Sequence, residues 1–390
     1  MTILFYRYGN ICEPAIIRFF QQNGITVLEE NSEITNKNIS PSQRVKTIHN
    51  IILQHHPIFV FSINFFPAIA EICHIHKLIY LCWSVDSPVL ELLSGAIQYK
   101  SNRIFLFDKA QYEYFSPYNP ECIHYLPLAS DVEHFTMINK TITEKERKLF
   151  SHDICFIGSL YNEKNPLTKL TLSEYSKGYI SGLVNASLKL CGYMPLEESV
   201  NNQLVQEIKA CDETFYTPDK PITNPDNYIV AHRYLGYQIA ETERIQTLNK
   251  LAQYFNVDLY TRSDTHTLQN VHVHGGVQTL TEMPKIFNQS KINLNITIKP
   301  IQTGLPLRIF DIMGCAGFVM TNYQQELTDY FEIGTDLEAY SSIDELIEKC
   351  AYYLKNDSIR AKIAQNGYEK MLKHHTYQHR ITKMMELSLK

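Results

Sequence analysis

The sequence lacks the motifs that mark several large enzyme classes. It contains no GxGxxG and no GxxxxGK followed by Ser or Thr, which argues against a dinucleotide oxidoreductase and against a P-loop NTPase. Its nine cysteines form no CxxC pair, a distribution typical of buried thiols in a reducing compartment. Tandem repeats and low-complexity tracts are also missing, so the composition indicates an ordinary globular chain.

Long apolar runs and an excess of positive charge are absent as well. The most apolar region, residues 58–73, is interrupted by Ser62, Asn64 and Pro67 and is too broken to span a bilayer. The opening residues MTILFYRYGN predict a short strand and not a signal peptide. A net charge of −5 without a basic stripe argues against a nucleic-acid partner and leaves a small nucleotide open. We therefore expect a cytoplasmic protein without a transmembrane segment.

Length and pattern predict two α/β domains. A chain of 390 residues has room for two or three domains with separate cores. The first third alternates helical patterns with six strand candidates, namely Ile3–Tyr6, Ile25–Leu28, Ile58–Ile63, Leu78–Cys82, Ile104–Phe107 and Ile123–Leu126. Strands separated by crossover helices predict a parallel sheet. We place this Rossmann-like domain at 1–135, followed by a linker at 136–150.

The second domain is predicted at residues 151–372. Its first strand, Ile154–Ile157, runs into the turn Gly158-Ser159, and strands return at Val257–Tyr260 and Val271–His274. Between them, from about 166 to 225, the chain is helical and rich in turns, so we interpret it as a helical insertion. The end of the chain, 373–390, is predicted as a C-terminal helix with a break at 374–376, and it can pack back on the first domain.

The stretch from Ser290 to Glu326 carries the strongest functional signal. It is predicted as a strand over 291–298, a turn over 303–306, a helix from about Pro306 that closes at 314–317, and a buried strand over 318–320. A strand that leads through a glycine turn into a helix forms an anion site, because free amides and the positive end of the helix dipole point at the loop.

Arg308 and Asp311 add side-chain chemistry to this turn. The guanidinium of Arg308 offers a fork that suits a diphosphate. Asp311, one helical turn later, offers an acceptor for ribose hydroxyls, as acidic residues do in dinucleotide sites. The alternative interpretation is a surface ion pair between the two residues.

At this point the sequence resembles a known family. The run SKINLNITIKPIQTGLPLRIFDIMGCAGFVMTNYQQELTDYFEIGTDLEAY, the later helix with KCAYYL and the terminal HTYQHR resemble the C-terminal domain of bacterial CgeB-like, spore-maturation-type glycosyltransferases. The segments WSVDSP, FDK and YLPLAS are similar to the N-terminal domain found with it. The resemblance implies an α/β fold of GT-B architecture, with two facing Rossmann-like domains and parallel sheets. It also implies a donor nucleotide sugar on the C-terminal domain, an acceptor on the N-terminal one, and no catalytic metal or other cofactor.

The resemblance assigns donor contacts by position. It implies that the diphosphate faces Gly304, Leu305 and Arg308 and that the ribose faces Asp311. It places three residues of the first loop of the same domain beside the donor, namely Gly158, Ser159 and Tyr161. Many retaining GT-B enzymes carry two glutamates eight positions apart around this turn, and here those positions are Thr303 and Asp311. Because the sugar-side carboxylate is missing, retention and inversion of the anomeric configuration both stay open.

Transfer of a glycosyl group needs a stabilised leaving group and, in an inverting enzyme, a general base. Arg308 fits the first role. For the base, the first choice is Asp86, which lies on a loop after a buried strand beside Ser87 and Pro88. Asp86 can instead form an Asx-type turn or cap the helix predicted after Pro88, and both roles can hold together.

Three further residues are open to two interpretations. His272 and His274 alternate along a predicted strand and face the same side, but no third ligand has suitable spacing, so a hydrogen-bonded or exposed pair is favoured over a metal site. Arg244 can reach a phosphate, although a surface ion pair with Glu241 is the favoured interpretation.

The resulting hypothesis is a metal-independent glycosyltransferase of hexosyl- or N-acetylhexosaminyl type. Its donor is expected to be a UDP-sugar or another nucleotide sugar, and its acceptor a protein or a cell-envelope glycan. The alternatives are a non-catalytic GT-B-like partner subunit that binds nucleotide or acceptor, and an epimerase on the same architecture. The sequence does not select the sugar, because single hydroxyl contacts from scattered loops decide it.

Overall fold

The computed structural model describes residues 1–192 and 194–388, and the chain divides into two compact units. Unit 1 comprises residues 1–128, residues 216–225 and the chain from Tyr377, and unit 2 comprises residues 129–215 and 226–376. Each unit holds a six-stranded sheet whose strand pairs are parallel. The α/β class with two parallel sheets is therefore confirmed.

The sheet of unit 1 has the strand order β2-β1-β3-β4-β5-β6. Its strands are β1 Thr2–Tyr6, β2 Thr26–Glu30, β3 Phe59–Ile63, β4 Ile79–Trp83, β5 Asn102–Leu106 and β6 Ile123–Tyr125. The helices of this part are α1 Glu13–Gln22, α2 Ser32–Thr35, α3 Pro41–His55, α4 Pro67–Ile75 and α5 Lys109–Phe115. All six predicted strands are present. Their central members read as apolar runs because helices cover both faces of a parallel sheet.

Local sequence explains where these helices begin. Proline occupies the first position of α3 and of α4, where its missing N–H would have lacked a partner in any case. In α3, the Ser40 hydroxyl accepts from the Gln43 backbone N–H at 3.2 Å and the Gln43 side chain accepts from the Ser40 backbone N–H, which completes a capping box.

The sheet of unit 2 has the strand order β12-β11-β10-β7-β8-β9. Its strands are β7 Ile154–Ile157, β8 Val257–Tyr260, β9 His272–Val273, β10 Ile292–Asn295, β11 Val319–Asn322 and β12 Glu338–Tyr340. The sequence predicts five of them and misses β12. That strand has three residues and buries Glu338, whose carboxylate pairs with Lys349 at 2.9 Å and accepts from Tyr353 at 2.6 Å. A buried charge that is fully paired breaks the apolar pattern on which strand prediction depends.

Helices surround this second sheet. They are α6 Val132–Asn139, α7 Glu144–Leu149, α8 Glu174–Ser187, α9 Asn202–Cys211, α10 Asp226–Ile229, α11 Gly236–Leu251, α12 Met283–Gln289, α13 Leu307–Gly314, α14 Leu327–Tyr330, α15 Ile343–Lys355 and α16 Asp357–His374. A π-helical segment, Val230–Leu235, joins α10 to α11. No strand occurs from 166 to 215 among the described residues, in agreement with the predicted helical segment.

The boundaries of the two units lie at other residues than the predicted domain boundaries. The predicted linker overlaps α6 and α7, which belong to unit 2. His134 on α6, for example, contacts the Leu280 carbonyl through Nε2 at 2.8 Å. Residues 216–225 join unit 1, where Gly95 N–H donates to the Lys220 carbonyl at 2.8 Å. The last helix, α17 Tyr377–Ser388, also belongs to unit 1, and its Arg380 donates to the Pro127 carbonyl at 2.9 Å.

Within the described residues, every helix is too short or too polar to cross a bilayer.

Candidate functional site

Unit 2 has a topological switch point between β7 and β10. From β7 the chain moves outward through β8 to β9, and from β10 it moves outward in the opposite direction through β11 to β12. In open parallel sheets, ligands bind outside the carboxyl ends of the strands at such a point. The predicted donor residues all follow these two strands, as Gly158, Ser159, Tyr161, Thr303, Gly304, Leu305, Arg308 and Asp311.

The loop after β7 is held in a defined conformation. Ser159 Oγ accepts from the Tyr161 N–H at 2.8 Å and donates to Glu163 Oε1 at 2.5 Å. Ser263, on the loop after β8, donates to the other oxygen of Glu163 at 2.7 Å and accepts from the Leu160 N–H at 2.8 Å. Burial raises the pKa of Glu163, but the two serine hydroxyls outweigh it and the pKa falls below its usual value. The carboxylate therefore stays charged and ties the two loops together.

Arg244 connects the loop after β7 with the loop after β10. Its Nη1 donates to the Ser159 carbonyl at 2.6 Å and its Nη2 to the Ile296 carbonyl at 2.7 Å. The guanidinium lies 4.8 Å from the centroid of the Tyr161 ring and 5.3 Å from that of Phe156. Burial lowers the pKa of Arg244, which nevertheless remains a cation at neutral pH. The switch point thus contains a fixed positive charge.

This position of Arg244 corrects the favoured interpretation from sequence. Glu241 accepts from the Asn165 side chain at 2.7 Å, whereas the hydrogen bonds of Arg244 go to the two loop carbonyls. Helix spacing gave only a weak signal for this, because the hydrophobic contrast between the two sides of α11 is very small.

Arg308 lies in the first turn of α13, as the proline turn predicts. The helix begins at Leu307 directly after Pro306. Arg308 Nη1 is 3.3 Å from Asp311 Oδ2, so the ion pair that the sequence left as an alternative is present. The guanidinium also contacts the Met283 sulfur at 2.7 Å and lies over the Phe287 ring at 5.4 Å. Packing against these two side chains fixes the cation beside the switch-point loop.

Asp311 is almost completely buried, with 4% of its surface exposed. Burial raises the pKa of its carboxyl to about 6, against the opposing effect of Arg308 and with a smaller contribution from Asp131 in the same direction. A ribose contact stays a prediction, because this carboxylate faces Arg308 and little of it reaches the surface.

Thr303 has a carboxylate beside it after all. Its hydroxyl donates to Glu326 Oε1 at 2.7 Å, and the Glu326 N–H donates to the Thr303 carbonyl at 3.1 Å. Glu326 follows β11 and is 2% exposed, while Gly304 and Leu305 are buried in the same turn. Sequence reasoning missed Glu326 because it sought the carboxylate in the loop after β10 itself. A signal was available, since Glu326 follows the next strand of a parallel sheet and so reaches the same edge.

Asp86 lies in unit 1, on the loop after β4. The Asn64 side chain donates to Asp86 Oδ2 at 2.7 Å and to the Tyr8 hydroxyl at 2.9 Å, and its Oδ1 accepts from the Val85 N–H at 3.0 Å. The 3-10 turn Leu90–Leu93 that follows has no side-chain cap, so the helix-cap interpretation of Asp86 is wrong. Asp86 is exposed, which leaves its carboxylate accessible for chemistry.

A buried glutamate organises the neighbouring loop after β1. Glu13 is fully buried, accepts from the N–H groups of Tyr8 at 2.9 Å and Gly9 at 3.1 Å, and pairs with Arg7 at 3.1 Å. Burial, with the charge of Asp86 as a further cause, raises the pKa of the Tyr8 phenol well above its usual value. Tyr8 is therefore a neutral hydroxyl group at any physiological pH.

Comparison with known proteins extends these observations. A family model described as glycosyl transferase-like matches residues 243–386, and a comparison with curated protein sequences gives no match. The chain is similar to the structure of HepE from Anabaena in complex with UDP and glucose, with a TM-score of 0.55, 11% identity and 99% of each chain covered. It is similar to sucrose-phosphate synthase from Thermosynechococcus elongatus, with a TM-score of 0.54, 8% identity, and 99% of this chain and 98% of that one covered. These likenesses show the fold, which is the α/β GT-B architecture of glycosyltransferases.

Proposed function

We propose that the chain is a glycosyltransferase that moves a sugar from a nucleoside diphosphate sugar to an acceptor. The observation that carries the proposal is the bridge of Arg244 between the two loops of the switch point, with Arg308 in the first turn of the following helix. A departing nucleoside diphosphate gains negative charge, which fixed cations and helix-start amides stabilise.

Each residue has a role in this scheme. Arg308 exchanges its contact with Asp311 for a phosphate oxygen, and Arg244 holds the loops so that their amides face the diphosphate. Because arginines supply the positive charge, the transfer is proposed to be metal-independent. Asp86 takes the proton from the acceptor hydroxyl if the reaction inverts the anomeric centre.

UDP is the proposed nucleotide, and a protein or cell-envelope glycan the proposed acceptor. HepE, whose fold this chain shares, has also been solved in complex with UDP-glucose. That structure is similar to this chain with a TM-score of 0.53 and 12% identity. The family model over residues 243–386 supports the enzyme class, and the CgeB-like resemblance supports the acceptor class. The hexosyl or N-acetylhexosaminyl type belongs to the same proposal.

The test is donor binding and turnover by the purified chain. We expect UDP to bind, and one UDP-sugar in a panel to release UDP by transfer or by slow hydrolysis. Arg308→Ala should weaken UDP binding by about tenfold or more, since a charge-assisted hydrogen bond contributes about 1.5–3 kcal/mol. Arg360→Ala is the matched control, because Arg360 forms the same type of i,i+3 pair with Asp357 at 2.8 Å on α16. Equal UDP affinity of both variants and the parent chain would contradict the proposed site.

A non-catalytic partner subunit is the second candidate. The observation that favours it is Thr303, which stands where many retaining enzymes carry a carboxylate. Tight UDP binding without release of UDP from any donor, with or without candidate acceptors, would select this candidate. Turnover that is lost in Glu326→Gln would instead assign the neighbouring carboxylate to the reaction.

A further inference from the structure

A group of histidines and one aspartate converges on one face of the sheet of unit 2. Asp258 and Tyr260 alternate along β8 and so share that face. His272 is the register partner of Asp258 on the edge strand β9, and His274 follows two residues later. His152, which precedes β7 and is distant in sequence, completes the group. The HVH pattern alone supplied two ligands, and the fold supplies two more.

The distances within this group are short. Asp258 Oδ1 is 2.6 Å from His274 Nε2 and 3.8 Å from His272 Nδ1, and Asp258 Oδ2 is 3.1 Å from His152 Nδ1. One ligand atom from each of His152, Asp258 and His274 lies within 4.8 Å of the other two. Ligand atoms around a tetrahedral zinc ion with bonds of about 2.0–2.1 Å are roughly 3.4 Å apart. Small side-chain rotations would therefore bring these atoms to bonding distance of one ion.

The charge of the group is also suited to a cation. Asp258 is 7% exposed, and its ion-pair partners within the described part of the chain are all histidines. Among the described residues, no lysine or arginine forms an ion pair with this carboxylate. Imidazole nitrogen and carboxylate oxygen are the ligand types that zinc and related ions prefer.

A second contact orients one ligand. His152 Nε2 is 2.8 Å from the Tyr260 hydroxyl, which can accept a hydrogen bond from that N–H and leave Nδ1 directed at Asp258. Metal-bound histidines nearly always donate their other N–H in this way. The Tyr260 ring in turn stacks on His274, with centroids 4.6 Å apart and an interplanar angle of 17°.

We propose that His152, Asp258 and His274 form a binding site for a divalent transition metal ion, with Zn²⁺ as the first choice and His272 as a fourth ligand. His272 and His274 are partly exposed, so the ion has a path from solvent. The site joins the two-residue edge strand β9 to β8 and to the segment before β7, and its role is to stabilise this edge. It supplies no step of the transfer reaction and does not rest on the proposed function.

The experiment uses the full, tag-free chain after treatment with a chelator. Titration with Zn²⁺ by calorimetry should give one ion per chain, and the same addition should raise the thermal midpoint. Co²⁺, as a spectroscopic probe, should give visible absorption of a tetrahedral site. His274→Gln and His152→Gln should each weaken Zn²⁺ binding by tenfold or more, because even outer partners of a metal site are worth about 10–100-fold.

His266→Gln is the matched control. His266 and Asp264 form an exposed pair at 2.7 Å on the loop after β8, so this variant removes a histidine–aspartate contact of the same type elsewhere. It should bind Zn²⁺ like the parent chain. His274 is partly exposed, so its variant should fold even if that of the buried His152 does not. Absence of stoichiometric Zn²⁺ binding by the parent chain, or equal affinity in His274→Gln, would overturn the proposal and leave a hydrogen-bonded cluster only.

Discussion

Each of the two parallel sheets has a topological switch point, and the loops near the two points carry different side-chain chemistry. In unit 1 the switch lies between β1 and β3, whose loops present the neutral phenol of Tyr8 and the amide of Asn64, and this amide donates to the exposed carboxylate of Asp86 on the neighbouring loop after β4. In unit 2 it lies between β7 and β10, and its loops surround the guanidinium of Arg244. The fold alone therefore does not decide what binds at such a point.

The two units differ in the groups that contact the arginine near each switch point, Arg7 in unit 1 and Arg244 in unit 2. Arg7 in unit 1 pairs with the buried carboxylate of Glu13, so its charge is neutralised where it stands. Arg244 in unit 2 donates to the carbonyls of Ser159 and Ile296, which orient the guanidinium without removing its charge. A cation that is oriented but not neutralised attracts an anion, whereas an exposed carboxylate beside hydroxyl groups suits proton transfer. Under the proposed function, this difference is the reason to expect the diphosphate at unit 2 and the acceptor hydroxyl at unit 1.

The largest expected effect comes from removing the charge at Asp86. Asp86→Asn keeps an oxygen that can accept from Asn64 but cannot take a proton from an acceptor. If Asp86 is the general base, kcat should fall by about 100- to 10,000-fold with UDP affinity and stability unchanged. Initial rates with saturating donor, calorimetry with UDP and urea unfolding measure the three quantities.

Glu121→Gln serves as the control for this change, since Glu121 is an exposed carboxylate of unit 1 that pairs with Lys100 at 2.9 Å. Its rate should match that of the parent chain. A full rate in Asp86→Asn would show that Asp86 of unit 1 is not the general base. It would leave the donor site proposed on unit 2 unaffected.

The next largest effect is expected from replacing Arg244 in unit 2. Arg244→Met leaves the Ser159 and Ile296 carbonyls without their charged donor, so unfolding free energy should fall by about 3–4 kcal/mol and UDP affinity by about 100-fold. Arg244→Lys keeps the charge but cannot bridge both carbonyls, and we expect an intermediate result. Arg360→Met removes another arginine that donates to a backbone carbonyl, that of Tyr353 at 2.6 Å, and should leave UDP affinity unchanged. UDP affinity that survives in Arg244→Met would place the anion elsewhere.

Local sequence signals predict the parts of this site that depend on neighbours along the chain. The turn before Pro306, the helix start at Leu307 and the break after His374 all follow from proline, glycine and side-chain periodicity, and the structure has them where expected. These features are set by backbone conformations that a few adjacent residues determine.

The parts that sequence reasoning missed depend on contacts across long separations. Arg244 reaches Ser159 from α11, Glu326 reaches Thr303 from the loop after β11, and His152 approaches the two histidines near β9 from a segment before β7. No spacing rule in a single sequence predicts which of many polar side chains meet in this way. Strand order accounts for Glu326, because parallel strands bring their carboxyl ends to one edge, whereas the contacts of Arg244 and His152 require the packed fold.

A smaller effect tests whether the Asp311 carboxylate competes with the donor for the guanidinium of Arg308. The Asp311 carboxyl has a pKa of about 6 in the folded chain, whereas an unfolded aspartate titrates near 3.9. The folded state therefore holds this proton more tightly, and its contribution makes stability fall by about 2–3 kcal/mol as pH rises from about 4 to 6, then level off. In Asp311→Asn this fall should be missing from urea unfolding measured between pH 4 and pH 7.

The same change should alter donor binding. Above pH 6 the ionised Asp311 competes with a phosphate for Arg308, so affinity for a UDP-sugar should decline several-fold as pH rises from 5 to 7.5. Asp311→Asn should flatten this profile. A UDP-sugar is the correct probe, because it lacks the terminal phosphate of UDP that titrates near the same pH. A profile that is equally steep in the variant would show that Asp311 and the donor do not share the guanidinium.

The smallest expected effect comes from the hydroxyl of Ser159. Ser159→Ala removes the acceptor for the Tyr161 N–H and one donor to Glu163, but it keeps the Ser159 carbonyl that binds Arg244. Unfolding free energy should fall by about 1 kcal/mol and UDP affinity by only a few-fold, since the loop loses a hydrogen bond and not its cation. Ser199→Ala, which removes a hydroxyl bonded to the Pro195 carbonyl at 3.3 Å, is the control and should leave UDP affinity unchanged. If Ser159→Ala weakens UDP binding as much as Arg244→Met does, the hydroxyl itself contacts the donor. Donor binding by unit 2 would then depend on a neutral group as much as on the arginine.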